Sequence, residues 1–69
     1  MNDMIVDRFI KVYDTAYTHD DLLHDRDIVI EACGFLRCLY FMADNPKQRN
    51  DIKTRYSQLS LVYLPFHNA

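Results

Sequence analysis

The sequence predicts an all-α fold, a small three-helix bundle or a helical hairpin with a docking helix, and three observations lead there. Apolar residues recur at spacings of three and four along most of the chain. One Gly and two Pro are the only strong helix breakers, and each Pro falls where a helix is expected to begin or end. At 69 residues, 49% hydrophobic and 26% charged, the chain has enough apolar material for one domain and no room for a second. A domain this short buries only about 60% of its unfolded surface, so self-association is expected to supplement a small core.

The first helix is expected over residues 2–17, where Ile5, Phe9, Val12, Tyr13 and Ala16 form a stripe and Asp3, Asp7, Lys11 and Asp14 fall opposite, toward water. Asp3 suits the positive end of the helix dipole, and Asn2 stands in a capping position. Short polar residues at 18–21 break the pattern, with Thr18 and Asp21 spaced as in a capping box.

A central helix over residues 20–43 would be roughly 36 Å long, enough to overhang its neighbours or to break near 24–27. Ile28, Ala32, Phe35, Leu36, Leu39, Met42 and Ala43 share one broad face, flanked by Val29, Cys33 and Tyr40. The opposite side carries Asp27, Glu31 and Arg37, but Ile30, Gly34 and Phe41 also line up along it, either as an uncovered strip for a partner or as core wrapped by the first and third helices. A mid-helix Gly costs about 1 kcal/mol relative to Ala, so a close approach by another backbone is a reasonable motive for Gly34.

Asp44, Asn45 and Pro46 then start a third helix over residues 46–62, with Asn45 as cap and Pro46 at the first helical position. Ile52, Tyr56, Leu59 and Tyr63 form its apolar stripe, residues 61–64 could equally be extended, and Pro65 is expected to end the helix in either case. Residues 65–69 are expected to form a short frayed tail, with Phe66 tucking back against the domain.

A net charge of −2 and a pI near 5.8 provide no overall field toward nucleic acid or an anionic membrane. Residues 1–4 lack a secretory n-region, and the apolar run after Gly34 is far shorter than the roughly 20 residues that span a bilayer. Cys33 and Cys38 lie about 140° apart around a helix, too far to pair within it, and read as buried thiols in a reducing, cytoplasmic setting.

Asp20, Asp21 and His24 could converge on a helix, but their spacing matches no metal motif and acids in a first turn suit the dipole, so no metal or cofactor is expected. The absence of a Gly-rich phosphate loop or a nucleophile elbow argues against an enzyme. Five Tyr and four Phe with no Trp suit an interface as well as a core.

The leading expectation is a non-catalytic protein-binding regulator, adaptor or inhibitor. It would form a homodimer through Ile30, Gly34, Arg37 and Phe41 and act on a larger protein partner. The alternative is a helix-turn-helix-like DNA-binding regulator whose third helix presents Lys47, Arg49, Asn50, Lys53 and Arg55. Residues 46–58 hold four basic side chains against Asp51, a local +3, but those bases do not share one face.

Overall fold

The computed structural model describes residues 2–68, with side chains from Asp3 onward, so the expected Asn2 cap and Ala69 lie outside the described structure. The chain is an all-α helical bundle of α1 (Asn2–Ala16), α2 (His19–His24), α3 (Arg26–Met42), α4 (Pro46–Gln58) and α5 (Leu64–Asn68), with a π-helical segment, Leu59–Tyr63, joining the last two. α3 is the hub, touching α1, α2, α4, the π segment and α5.

The segment read as one central helix is two. Asp25 adopts an extended backbone (φ −138°, ψ 108°), and its carboxylate accepts hydrogen bonds from the N–H groups of Asp27 at 2.9 Å and Ile28 at 3.4 Å. This is an N-cap, and it restarts the helix in a new direction. Thr18 caps α2 in the same way, its hydroxyl oxygen accepting from the Asp21 N–H at 3.2 Å. Asn45 caps α4 as the sequence implies, receiving the N–H of Lys47 at 2.8 Å, with Pro46 in the first helical position.

The core is built from one side of α3. Val29, Ala32, Cys33, Leu36 and Leu39, with Ala43 just beyond, meet Val6, Ile10 and Tyr13 of α1, Leu22 of α2, and Ile52, Leu59 and Tyr63 from the C-terminal half. Fully burying a side chain of Leu36's size contributes on the order of 1.5–3 kcal/mol. Phe35 and Ile28 are half-buried and Met42 is exposed, so the core face is turned toward Val29 and Cys33 relative to the expected one.

A larger correction falls on α1. Its buried stripe is Val6, Ile10 and Tyr13, with Tyr17 half-buried, whereas the expected core residues Ile5, Phe9 and Val12 are 47%, 40% and 47% exposed. The helix is turned by about 100° from the expected phase. Along its acidic edge Asp7 and Asp14, although exposed, are bonded to α4. Gln48, itself buried, donates from Nε2 to the Asp3 carbonyl at 2.7 Å and to Asp7 Oδ1 at 2.8 Å. Arg55 grips Asp14 with two bonds of 2.8 Å, Nε to Oδ1 and Nη2 to Oδ2. Paired in this way, the acidic edge of α1 is held along α4 and its Ile5 edge is left outside.

Pro65 does not end the last helix, and the expected frayed tail is helical through Asn68. The π-helical turn widens the backbone just ahead of Pro65, where an ordinary α turn would set the pyrrolidine ring against the Leu61 carbonyl. Phe66 stays 56% exposed, and His67 is the anchor, its Nε2–H donating to the Leu22 carbonyl at 2.7 Å. His19 Nδ1 shares a 2.6 Å hydrogen bond with the Tyr63 hydroxyl, tying α2 to the same end of the bundle. Among the described residues no helix is long and apolar enough to cross a membrane.

The Arg55 guanidinium holds the Asp14 carboxyl below its ordinary value of 3.8. A lowered carboxylate contributes stability that is complete above the ordinary value and is lost as the pH falls through the lowered one. Because Asp14 is half exposed, solvent screening keeps the pair within the range of surface ion pairs. Asp14→Asn is therefore expected to reduce unfolding stability by about 0.5–1 kcal/mol at pH 7 in low salt. In urea titrations that deficit should shrink as acid protonates Asp14, below its ordinary value; a deficit that does not shrink as the pH falls would contradict the pairing.

Candidate functional site

The outward crest of α3 carries unburied apolar side chains, as does the C-terminal stretch with Leu61, Val62 and Phe66. Phe41 is 82% exposed and Ile30 49%, with Gly34 open between them and Arg37 exposed on the same line. Helical spacing puts Ile30, Gly34, Arg37 and Phe41 within about 60° of arc. A Cβ built on Gly34 would meet nothing within 4 Å, so no close approach inside the chain requires glycine there.

A groove runs along each side of this crest. On the α1 side a cleft of about 360 Å³ is floored by Phe35 and Leu39 and walled by Phe9, Tyr17 and Met42, with Gly34 and Cys38 on its α3 bank. Phe35 is braced edge-on by Phe9 at 6.3 Å and by Tyr17 at 5.8 Å between ring centroids. The single charged lining residue, Glu31, accepts the Tyr17 hydroxyl at 3.1 Å. Burial, and then this bond, push the Tyr17 hydroxyl above its ordinary range. Ile5 and Val12 extend the exposed apolar surface along α1.

On the α4 side a cleft of about 520 Å³ has Leu36 and Ile52 at its base and Tyr40, Phe41 and Tyr56 as walls, with Arg37 and Lys53 on opposite banks. Arg37 donates from Nη2 to the Tyr56 hydroxyl at 3.0 Å, and its guanidinium carbon lies 5.7 Å from that ring's centroid. Arg49 donates from Nε to the Ala43 carbonyl at 2.6 Å and lies 5.1 Å from the Tyr40 centroid.

The structure thus brings Ile30, Gly34, Arg37 and Phe41 together, as their spacing implies. It does not gather the five basic-helix candidates. Arg55 is bound to Asp14 on the α1 side, Arg49 and Lys53 face α3, and Lys47 and Asn50 are exposed elsewhere on α4. The sequence reading missed the contribution of Ile5, Phe9 and Val12 to the exposed face. The available signal was a second, equally regular stripe in α1, Val6, Ile10, Tyr13 and Tyr17, which left one of the two outside.

The polar chemistry of the chain is spread out. Among the described residues no group of three His, Cys, Asp or Glu side chains converges as a metal site. His24 folds back on its own helix, donating from Nδ1 to the Asp20 carbonyl at 2.8 Å. Cys33 is buried as expected, and burial pushes its thiol up; Cys38, expected to be buried, is exposed beside the crest. Comparison with protein-family models, curated proteins and solved structures finds no match to this chain.

These environments predict unequal thiol chemistry, since the thiolate is the reactive form and needs access. Under native conditions iodoacetamide should alkylate Cys38 well before Cys33, and denaturant should equalise them. Peptide mass mapping that found Cys33 modified first would overturn the assignment of faces on α3.

Proposed function

We propose that this chain is a non-catalytic protein-binding module: a small regulator, adaptor or inhibitor that works by occupying a surface of a larger protein. It self-associates as a two-fold homodimer through the crest of α3 and the neighbouring edge of α1. The observation that carries this reading is the run of exposed apolar side chains across those two helices. Among the described residues seven of the ten large exposed hydrophobics lie there: Met4, Ile5, Phe9, Val12, Ile30, Phe41 and Met42. Of these, Ile5, Phe9 and Val12 share one face of α1 and Ile30 and Phe41 one face of α3, and clustered apolar surface is characteristic of interaction sites.

Dimensions and residue sizes support the dimer. α1 and α3, with 15 and 17 residues, are about 22 and 25 Å long, enough to lie along the matching pair of a second copy. A second copy would place two helices on two, the packing of a four-helix layer. Gly34 and Cys38 are small enough to let the two α3 axes approach toward the short end of the usual 8–10 Å separation.

The DNA-binding alternative draws on the exposed Lys47, Asn50 and Lys53. It is weakened by the commitment of Arg55 to Asp14 and of Arg49 to the Ala43 carbonyl. The remaining cations point to different sides, and a phosphate-tracking surface needs them clustered.

Gly34 gives the dimer a test with opposite signs. Since a Cβ meets nothing in the chain, Gly34→Ala should stabilise the isolated helix by about 1 kcal/mol. Gly34→Leu and Phe41→Glu should keep the helical circular dichroism while lowering the sedimentation mass from dimer to monomer. A monomeric wild-type chain at millimolar concentration, or a dimer indifferent to both changes, would refute the interface. A salt-sensitive shift of labelled duplex DNA would favour the alternative.

A further inference from the structure

The two grooves beside α3 differ in charge. The α1-side groove has Glu31 as its one charged lining residue, whereas the α4-side groove is lined by Arg37 and Lys53 and has Arg49 stacked on its Tyr40 wall. Among the described residues only Arg55 and His24 lie within ion-pair distance of a carboxylate. Three cations therefore stand along one groove without an acidic partner, in a chain where acids outnumber Lys and Arg by ten to eight. Two of them are held in place. Arg37 spends one N–H on the Tyr56 hydroxyl and Arg49 spends one on the Ala43 carbonyl, so each keeps further donors for an incoming carboxylate.

The groove also has an apolar base. Leu36 and Ile52, 0% and 1% exposed, lie beneath walls of Tyr40, Phe41 and Tyr56. An apolar trough between two helices, with cations on both banks, complements an amphipathic helix that carries apolar anchors on one face and carboxylates on its flanks.

We infer that the α3–α4 groove is a docking site for an acidic amphipathic helix of a partner protein. This deepens the protein-binding reading and rests on it by naming the chemistry of the larger partner. Large apolar side chains spaced three and four apart enter the trough over Leu36 and Ile52. Glu or Asp residues beside them meet Arg37, Lys53 and Arg49. The rings argue against single-stranded nucleic acid as occupant, because guanidinium groups already cover Tyr40 and Tyr56 where bases would have to stack.

The test uses the full chain and a fluorescein-labelled synthetic helix of about five turns, with Leu and Phe at the anchor positions and Glu on the flanks. Binding should shift amide resonances of α3 and α4 around the groove and weaken with added salt. Lys53→Glu, or Lys for Glu in the peptide, should reduce affinity about tenfold or more. Lys53 lies outside the proposed dimer face, so the Lys53→Glu protein should keep the wild-type sedimentation mass. Because Arg37 and Phe41 border both the crest and this groove, the peptide is titrated against the chain diluted to monomer as well as against the dimer: a monomer that ignores the Glu peptide, or binds the Lys peptide equally well, overturns the groove assignment and leaves the dimer standing. A wild-type chain that stays monomeric at millimolar concentration yet binds the Glu peptide overturns the dimer and leaves the groove. Shifts confined to α1, or tighter binding of oligothymidylate at the same residues, would also overturn it.

Discussion

The constraint on which the structure depends is the circumference of α3. Val29, Ala32, Cys33, Leu36 and Leu39 fill one side of this helix, and that side is covered by α1, α2, α4, the π segment and α5. These companions still leave an arc uncovered, and Ile30, Gly34 and Phe41 lie on that arc. Here the chain ends its core before α3 is enclosed, and the two flanking grooves follow from that geometry.

Much of this was legible in the sequence, because most helix signals are local. Asn45 and Pro46 mark the start of α4 through short-range cap chemistry, and Ile52, Leu59 and Tyr63 keep their expected place in the core. That Ile30, Gly34 and Phe41 share one line of α3 could be read from spacing, but whether neighbouring helices would cover that line could not. The break at Asp25 was harder to place, since any of several acids between positions 20 and 27 could have capped the new helix and only backbone geometry selects one.

What stayed hidden depends on long-range partners. The phase of α1 is set by Gln48 and Arg55, 41 residues along the chain from Asp7 and Asp14, so an edge that looks solvated in isolation becomes a seam in the fold. With two apolar stripes of equal regularity in α1, periodicity could not decide which one faced inward. Pro65 misled for a related reason. A π-helical turn ahead of it relieves the clash that makes Pro a stop signal, and nothing in the local spacing announces that turn. The candidate site was legible where it rests on α3 and illegible where α1 contributes to it.

In the resulting account one surface has two roles: an apolar band across α1 and α3 for a second copy, and a cation-lined trough between α3 and α4 for a different protein. The most direct test of the central claim is isotope-filtered nuclear Overhauser spectroscopy on a mixture of labelled and unlabelled chain. The account predicts intermolecular contacts from Ile30, Gly34 and Phe41, joined by Phe9 and Val12 of α1. Intermolecular contacts through Leu61, Val62 and Phe66 instead, or none at millimolar concentration, would contradict it.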